Sequence, residues 1–203
     1  MIDEGYIKFA SIWQRSKPLD FPEIDELITW RRPLFAAELI GQYVESGIGF
    51  GNISIRLPGA GGFIISGTQT GHLAELDYRH FARVTSYDIS ENRVTSIGAT
   101  EASSESMTHA TIYEINPAIR AVVHVHSYEL WVALKNVLPT TSEDVAYGTP
   151  EMAYEFYRLF NETDFRRQGI AVMAGHEAGL ISIGSTLQEA AERVLALKQD
   201  IAD

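Results

Sequence analysis

The spacing of apolar positions changes several times along the chain. Tyr6, Phe9 and Trp13 stand three and four residues apart, the repeat of one helical face. Ile12, Leu27, Ile28 and Trp30 add bulky apolar groups, and Pro18 and Pro22 interrupt the segment. Pro33 suits the first position of a second helix, with Leu34, Ala37 and Ile40 near one face and Gly47 and Gly49 closing it. Residues 1–32 thus read as a helical arm packed on a main body of residues 33–203.

From Ile53 the pattern turns to short β-type runs. Residues 53–57 and 63–66 are split by Pro58 and a glycine-rich turn. Residues 81–89 alternate in part, and Glu91-Asn92 turns the chain into a strand at 93–95. Ser103 or Ser104 can cap a helix that runs to Asn116 and stops at Pro117. Residues 119–126 are nearly apolar on both faces, as in a buried strand, and a helix over 128–136 follows. Thr149-Pro150-Glu151 is a helix start with a capping hydroxyl, a proline and an early acid. Strands at 170–174 and 180–183 precede a capping box, Thr186 to Glu189, that opens the last helix. Hairpins and helices mix without regular strand–helix alternation. That order predicts an α/β layered fold around a largely antiparallel sheet.

Charge narrows the partners. The 203 residues carry 16 Lys and Arg against 27 Asp and Glu, a net charge of −11. Such a field repels nucleic acid and anionic membrane surfaces, so neither is an expected partner. An anionic substrate would need positive potential supplied locally, by backbone amides or a metal. Cysteine is absent, which excludes disulfides, thiolate metal sites and a cysteine nucleophile. No run nears the roughly 20 apolar residues of a membrane span. The acidic start MIDEGYIKF does not read as a secretory leader, and the expected compartment is the cytoplasm.

Six histidines carry most of the candidate chemistry. Val123-His124-Val125-His126 lies on an expected strand, so His124 and His126 project from one face, about 7 Å apart at Cα. Two imidazoles at that spacing can converge on one divalent ion, and cysteine-free metal sites rely on such ligands. Two hydrogen-bonded histidines near a strand end are the plain alternative. His176 stands where an apolar strand leaves the sheet and is placed to be a third ligand. Glu105 opens an expected helix beside Ser103 and Ser104, where hydroxyls and backbone amides can face an anion with Glu105 as a base. His109, four residues on, reads as a hydrogen-bond partner for Glu105. Two turns, residues 49–54 and 66–71, are rich in Gly, Ser, Thr and Asn and can bring amides close to phosphate or carboxylate oxygens.

Taken in order, these segments resemble the class II aldolase/adducin family over residues 33–198. The resemblance rests on Gly51-Asn52-Ile53-Ser54-Ile55-Arg56, Ile65-Ser66-Gly67-Thr68, Ala102-Ser103-Ser104-Glu105, Val123-His124-Val125-His126-Ser127, Tyr147-Gly148-Thr149-Pro150 and Gly175-His176. It implies an αβα three-layer sandwich with a mostly antiparallel sheet. It implies zinc, or another divalent metal such as Mn2+, Co2+ or Fe2+, on His124, His126 and His176, with Glu105 as the acid/base. It assigns substrate phosphate to Gly51, Asn52, Thr68 or Thr70, Ser103 and Ser104. The threonine stays open because this turn is about one residue longer than in sugar-phosphate aldolases.

The implied reaction is cleavage or formation of a C–C bond in a small hydroxy-carbonyl compound, a phosphorylated sugar by analogy, through a metal-stabilised enediolate. Epimerases, dehydratases and decarboxylases of the same family share the metal site and form the alternative reading. A non-catalytic, adducin-like scaffold is a third, disfavoured by the full set of three histidines and glutamate. The resemblance also implies a homo-oligomer, a tetramer by analogy, with sites near subunit interfaces. Glu177-Ala178 separates the last histidine from Gly179, a longer loop than the family's usual histidine–glycine step. In some family aldolases a tyrosine from a neighbouring subunit donates a second proton, and Tyr128 and Tyr147 are candidates for that role with no motif to choose between them.

Overall fold

The computed structural model describes residues 5–59 and 61–202. Its elements in chain order are β1 (Ala10–Arg15), α1 (Glu23–Ala36), β2 (Gly41–Gln42), β3 (Gly49–Phe50), β4 (Asn52–Arg56), β5 (Phe63–Ser66), β6 (Phe81–Asp88), β7 (Arg93–Gly98) and α2 (Ser106–Ile115). There follow β8 (Ala121–His126), α3 (Tyr128–Leu134), α4 (Pro150–Glu162), α5 (Phe165–Gln168), β9 (Ile170–Val172), β10 (Gly179–Gly184) and α6 (Leu187–Ala202). Eight strands form one sheet in the order β1-β7-β6-β5-β4-β8-β10-β9, and β2 pairs with β3 apart from it. Every pair in the large sheet is antiparallel except β1 with β7. The expected mostly antiparallel α/β sandwich is the observed fold.

Helices cover both faces of the sheet. On one side Ile24, Leu27 and Leu34 of α1 and Leu187, Ala190, Ala191 and Val194 of α6 pack on Ile53, Ile55, Ala121, Val123 and Val125. The α6 residues fall at offsets of three, four and seven, a single helical stripe. On the other side Met107, Ala110 and Ile112 of α2 and Met152, Phe156 and Leu159 of α4 meet Phe63, Ile65, Val122 and Ile181. Alternation along β8 therefore sends Ala121, Val123 and Val125 one way and Val122 the other. His124 and His126 share the parity of Val122, so they emerge on the α2/α4 side.

The N-terminal helical face is corrected. Ala10–Arg15, which contains Trp13, is an edge strand paired in parallel with β7 and exposed along its length. Its backbone bonds to β7 outweigh the helix-like spacing of the aromatics. Pro33 also differs from expectation: it lies inside α1, which spans the boundary drawn between residues 32 and 33. The expected helix after Pro33 ends at Ala36 and gives way to the β2–β3 hairpin.

The expected starts of α4 and α6 follow local capping chemistry, and that of α2 does not. Thr149 Oγ1 accepts from Met152 N at 3.3 Å, with Pro150 as the first helical residue. Thr186 Oγ1 accepts from Glu189 N at 3.1 Å, while Glu189 Oε2 accepts from Ser185 N at 2.8 Å. The exception is α2, which starts at Ser106, so neither Ser103 nor Ser104 is its cap residue. Ser103 instead braces the preceding turn: its Oγ accepts from Glu105 N at 3.3 Å and its carbonyl from Ser106 N at 3.0 Å. Glu105 itself occupies the cap position.

Candidate functional site

Strand register builds the site. β8 lies between β4 and β10, with Asn52 opposite His124 on one side, and Ile181 opposite His124 and Gly179 opposite His126 on the other. Residues directly opposite across an antiparallel pair share a face, so Asn52 stands beside His124 on the α2/α4 side. The chain between β9 and β10 is tight: His176 N donates to Met173 O at 3.1 Å and Gly179 N to His176 O at 2.9 Å. Ala178, at φ +65°, completes the reversal, and its carbonyl accepts from Ser127 N at 2.9 Å. That bond ties the loop to the end of β8 and sets His176 against the His124–His126 pair.

The three imidazoles are buried and touch. His124 Nε2 and His126 Nε2 are 3.0 Å apart. The ring of His176 lies 5.0 Å from that of His124 and 4.6 Å from that of His126. His124 Nδ1 donates to Leu180 O at 3.0 Å, since a carbonyl only accepts, and this turns Nε2 toward the cluster as a lone pair. His126 Nδ1 is 2.8 Å from the Tyr43 hydroxyl. Burial, and after it the charge of neighbouring imidazoles, holds His124 and His126 well below the usual histidine range. Both are neutral near pH 7, the state a metal ligand requires.

The donor set fits a divalent ion. Among the described residues one such cluster is found, His124, His126 and His176, whose ligand atoms lie within 4.8 Å of one another. Two Zn–N bonds of about 2.0–2.1 Å at a tetrahedral angle bring their nitrogens to roughly 3.3 Å, near the 3.0 Å seen here. Three protein nitrogens leave a coordination position for substrate or water, the hallmark of a catalytic site.

Glu105 reaches this cluster from the loop before α2. Its Oε1 lies 3.4 Å from His176 Nδ1, and both side chains are buried. Gly51, Asn52, Thr68, Thr70, Ser103 and Ser104 line one pocket together with Glu105 and His124. Every residue expected to bind substrate is thus brought to a single place. No lysine or arginine is among the described residues of its wall, so backbone amides, hydroxyls and Asn52 supply its polarity. Backbone approach here demands glycine: Gly51 has φ +73°, and a Cβ on Gly71 would stand 2.1 Å from the carbonyl oxygen of Gly41. Thr70 Oγ1 donates to Gly67 O at 2.8 Å, within the turn itself. The Asn52 Oδ1 atom is buried without a hydrogen-bond partner among the described residues.

The model of the class II aldolase and adducin N-terminal domain matches residues 36–201. The chain belongs to that family. Among solved structures, L-fuculose-1-phosphate aldolase from Thermus thermophilus is 22% identical with a TM-score of 0.65, covering 88% of this chain and 90% of its own. YgbL from Klebsiella pneumoniae, a candidate aldolase/epimerase/decarboxylase, is 21% identical with a TM-score of 0.65, over 88% of this chain and 86% of its own. A sugar-phosphate aldolase from Thermotoga maritima is 17% identical with a TM-score of 0.64, over 89% of this chain and 94% of its own. At these identities the likeness is one of fold. The comparison with curated proteins gives no match.

In this family member one neighbour of the site had no sequence signal. Tyr43, on the β2–β3 hairpin, meets His126 although no motif surrounds it. Phe50 packs against both rings, 4.7 Å from that of Tyr43 and 5.3 Å from that of His126. Tyr147 stacks on His176 at 4.5 Å, and its hydroxyl engages the Tyr6 backbone nitrogen at 3.1 Å. Tyr128 is exposed in a second, wider cleft that reaches His126 from the opposite side. His109 differs from expectation: its Nδ1 pairs with Ser54 Oγ at 2.7 Å, and burial pushes its pKa down to about 3. It underpins β4 from below the site.

Proposed function

We propose that the protein is a metal-dependent lyase of the aldolase type, acting on a small hydroxy-carbonyl substrate with an anionic end, a phosphorylated sugar in the first instance. The observation that carries this reading is one juxtaposition. The buried three-histidine cluster, the Glu105 carboxylate and the pocket of Gly51, Asn52, Thr68, Ser103 and Ser104 are contiguous. Zinc, or Mn2+, Co2+ or Fe2+, bound by His124, His126 and His176 would supply Lewis-acid polarisation of the substrate carbonyl.

The chain's own residues do the rest. Glu105 moves the proton of the reacting carbon or hydroxyl as a general base. Asn52, Ser103, Ser104, Thr68 and the Gly51 backbone hold the anionic end. Thr68 is preferred to Thr70 for this, because the Thr70 hydroxyl already donates to Gly67 O. Burial of Glu105, His124 and His126 keeps bulk water from the reacting groups. Tyr128, in the cleft that reaches His126, and Tyr147, stacked on His176, are the two candidates for delivering a second proton.

The same reading carries a cytoplasmic location and a homotetramer with sites near subunit boundaries. Among the described residues no helix is long and apolar enough to cross a membrane. The test is a product-resolved assay of metal-loaded protein against ketose phosphates, aldehydes and hydroxy acids. Aldehyde release from a ketose phosphate supports the lyase. Epimerised, dehydrated or decarboxylated products replace it with a sister reaction, and no turnover together with no bound metal would point to a scaffold.

A further inference from the structure

We propose that Tyr43 is a positioning residue whose hydroxyl lets His126 exchange tautomers, and so strengthens His126 as a ligand. The inference rests on the metal reading above and adds to it a residue with no motif.

The two histidines of β8 are held differently. His124 Nδ1 meets the Leu180 carbonyl at 3.0 Å, and a carbonyl only accepts. His124 is therefore fixed with its proton on Nδ1 and a lone pair on Nε2. His126 Nδ1 meets the Tyr43 hydroxyl at 2.8 Å, and a hydroxyl donates or accepts equally well. Its tautomer is left to its surroundings.

Those surroundings pull in opposite directions with and without an ion. The two Nε2 atoms are 3.0 Å apart, a distance at which two facing lone pairs repel. In the metal-free chain His126 must therefore carry its proton on Nε2 and donate it to His124. Its Nδ1 is then an acceptor, and the Tyr43 O–H donates. As a ligand, His126 must instead offer a lone pair at Nε2, with its proton on Nδ1. The Tyr43 oxygen then accepts. One rotation of a hydroxyl satisfies both states, which a carbonyl or an ammonium in that place could not do.

The placement of Tyr43 is itself built. Its backbone nitrogen donates to Ile48 O at 2.9 Å and its carbonyl accepts from Gly47 N at 2.8 Å, which closes the hairpin. Phe50 packs against both the Tyr43 and the His126 ring. Tyr43 is half-buried at the wall of the wider cleft, so the hydroxyl sits at the border of the site and solvent.

The experiment uses full-length protein with 15N-labelled histidine, whose ring correlations report which nitrogen carries the proton, before and during titration with zinc alone. Metal-free His126 should read as Nε2-protonated and should convert to Nδ1-protonated with zinc, while His124 stays Nδ1-protonated throughout. Tyr43→Phe keeps the packing against Phe50 and should leave the metal-free tautomer unchanged. It should weaken zinc binding, measured by chelator competition, by about 10–100-fold, the loss typical of removing such an outer partner. A proton on Nδ1 of metal-free His126 overturns the proposal without any variant. Zinc affinity of Tyr43→Phe within about twofold of wild type overturns the role of Tyr43 alone. Wild-type protein that binds no zinc overturns the metal reading, and this proposal with it.

Discussion

The Glu105 carboxylate stands 3.4 Å from Nδ1 of His176, although one residue opens a helix and the other lies in a distant hairpin loop. Both are buried. A carboxylate taken out of water costs several kcal/mol unless positive charge or hydrogen bonds offset it. A cation among the three imidazoles would lower that cost, so the proposed base and the proposed ligands would support one another.

Metal content is the first consequence. Purified protein never exposed to chelator should hold one divalent ion per chain by elemental analysis. His126→Ala and His176→Ala should lose it, with affinity falling beyond the ~100-fold that loss of an outer partner costs. Their circular dichroism should stay that of the wild type, because the core clusters on either side of the sheet are untouched. Stoichiometric metal in both variants would place the site elsewhere.

Glu105→Gln separates the base from the ligands. The amide keeps the shape and removes the proton acceptor. Turnover should fall by about 10²–10⁴, the usual contribution of a general base, while saturating metal still fills the site at one ion per chain, with weaker affinity. Exchange of substrate C–H hydrogen with solvent deuterium should stop in parallel. Exchange at the wild-type rate would remove Glu105 from the reaction.

Asn52→Leu tests the anion pocket. Asn52 is buried beside His124, and a hydrogen bond to a charged oxygen contributes about 1.5–3 kcal/mol. KM for a phosphorylated substrate should rise by roughly 10–100-fold. KM for the dephosphorylated analogue should barely move. An equal rise for both would make Asn52 structural.

Acid sensitivity follows from His109. Its folded pKa is about 3 against an ordinary value of 6.5, through burial. The unfolded chain takes up the proton first, so its contribution to stability is complete above pH 6.5 and declines as pH falls toward 3. The slope for one such group is at most about 1.4 kcal/mol per pH unit. His124 and His126 in the metal-free chain act with the same sign. Urea unfolding between about pH 7.5 and 5 should show a shallower decline for His109→Gln, which keeps a partner for Ser54. Parallel curves for variant and wild type would falsify this.

Much of the centre of the molecule was legible in the chain. β5, β6 and β8 were readable in all their residues and β4 in all but Asn52, because apolar runs bounded by turn residues depend on local patterning. The starts of α4 and α6 were legible in Thr149-Pro150 and Thr186, since a cap acts within four residues. The N-terminal segment was misread because Tyr6, Phe9 and Trp13 show helical spacing, while pairing with β7 is a contact with residues far along the chain. The start of α2 shifted because Ser103 braces a turn instead of capping a helix. Tyr43 carried no signal at all.

The sequence by itself determined the chemistry available: histidines in place of cysteines, two on one strand face, a glutamate after two serines, and glycines where backbone must come close. Alternation along a strand makes the His124–His126 pair a local fact. Only the tertiary structure decided that His176, Glu105, Asn52 and Tyr43 meet there. Their approach depends on β8 lying between β4 and β10, on the tight loop ending at Gly179 and on the β2–β3 hairpin folding over His126. Strand order and register between distant segments are set by the packing of both sheet faces, and no short window of sequence records that balance.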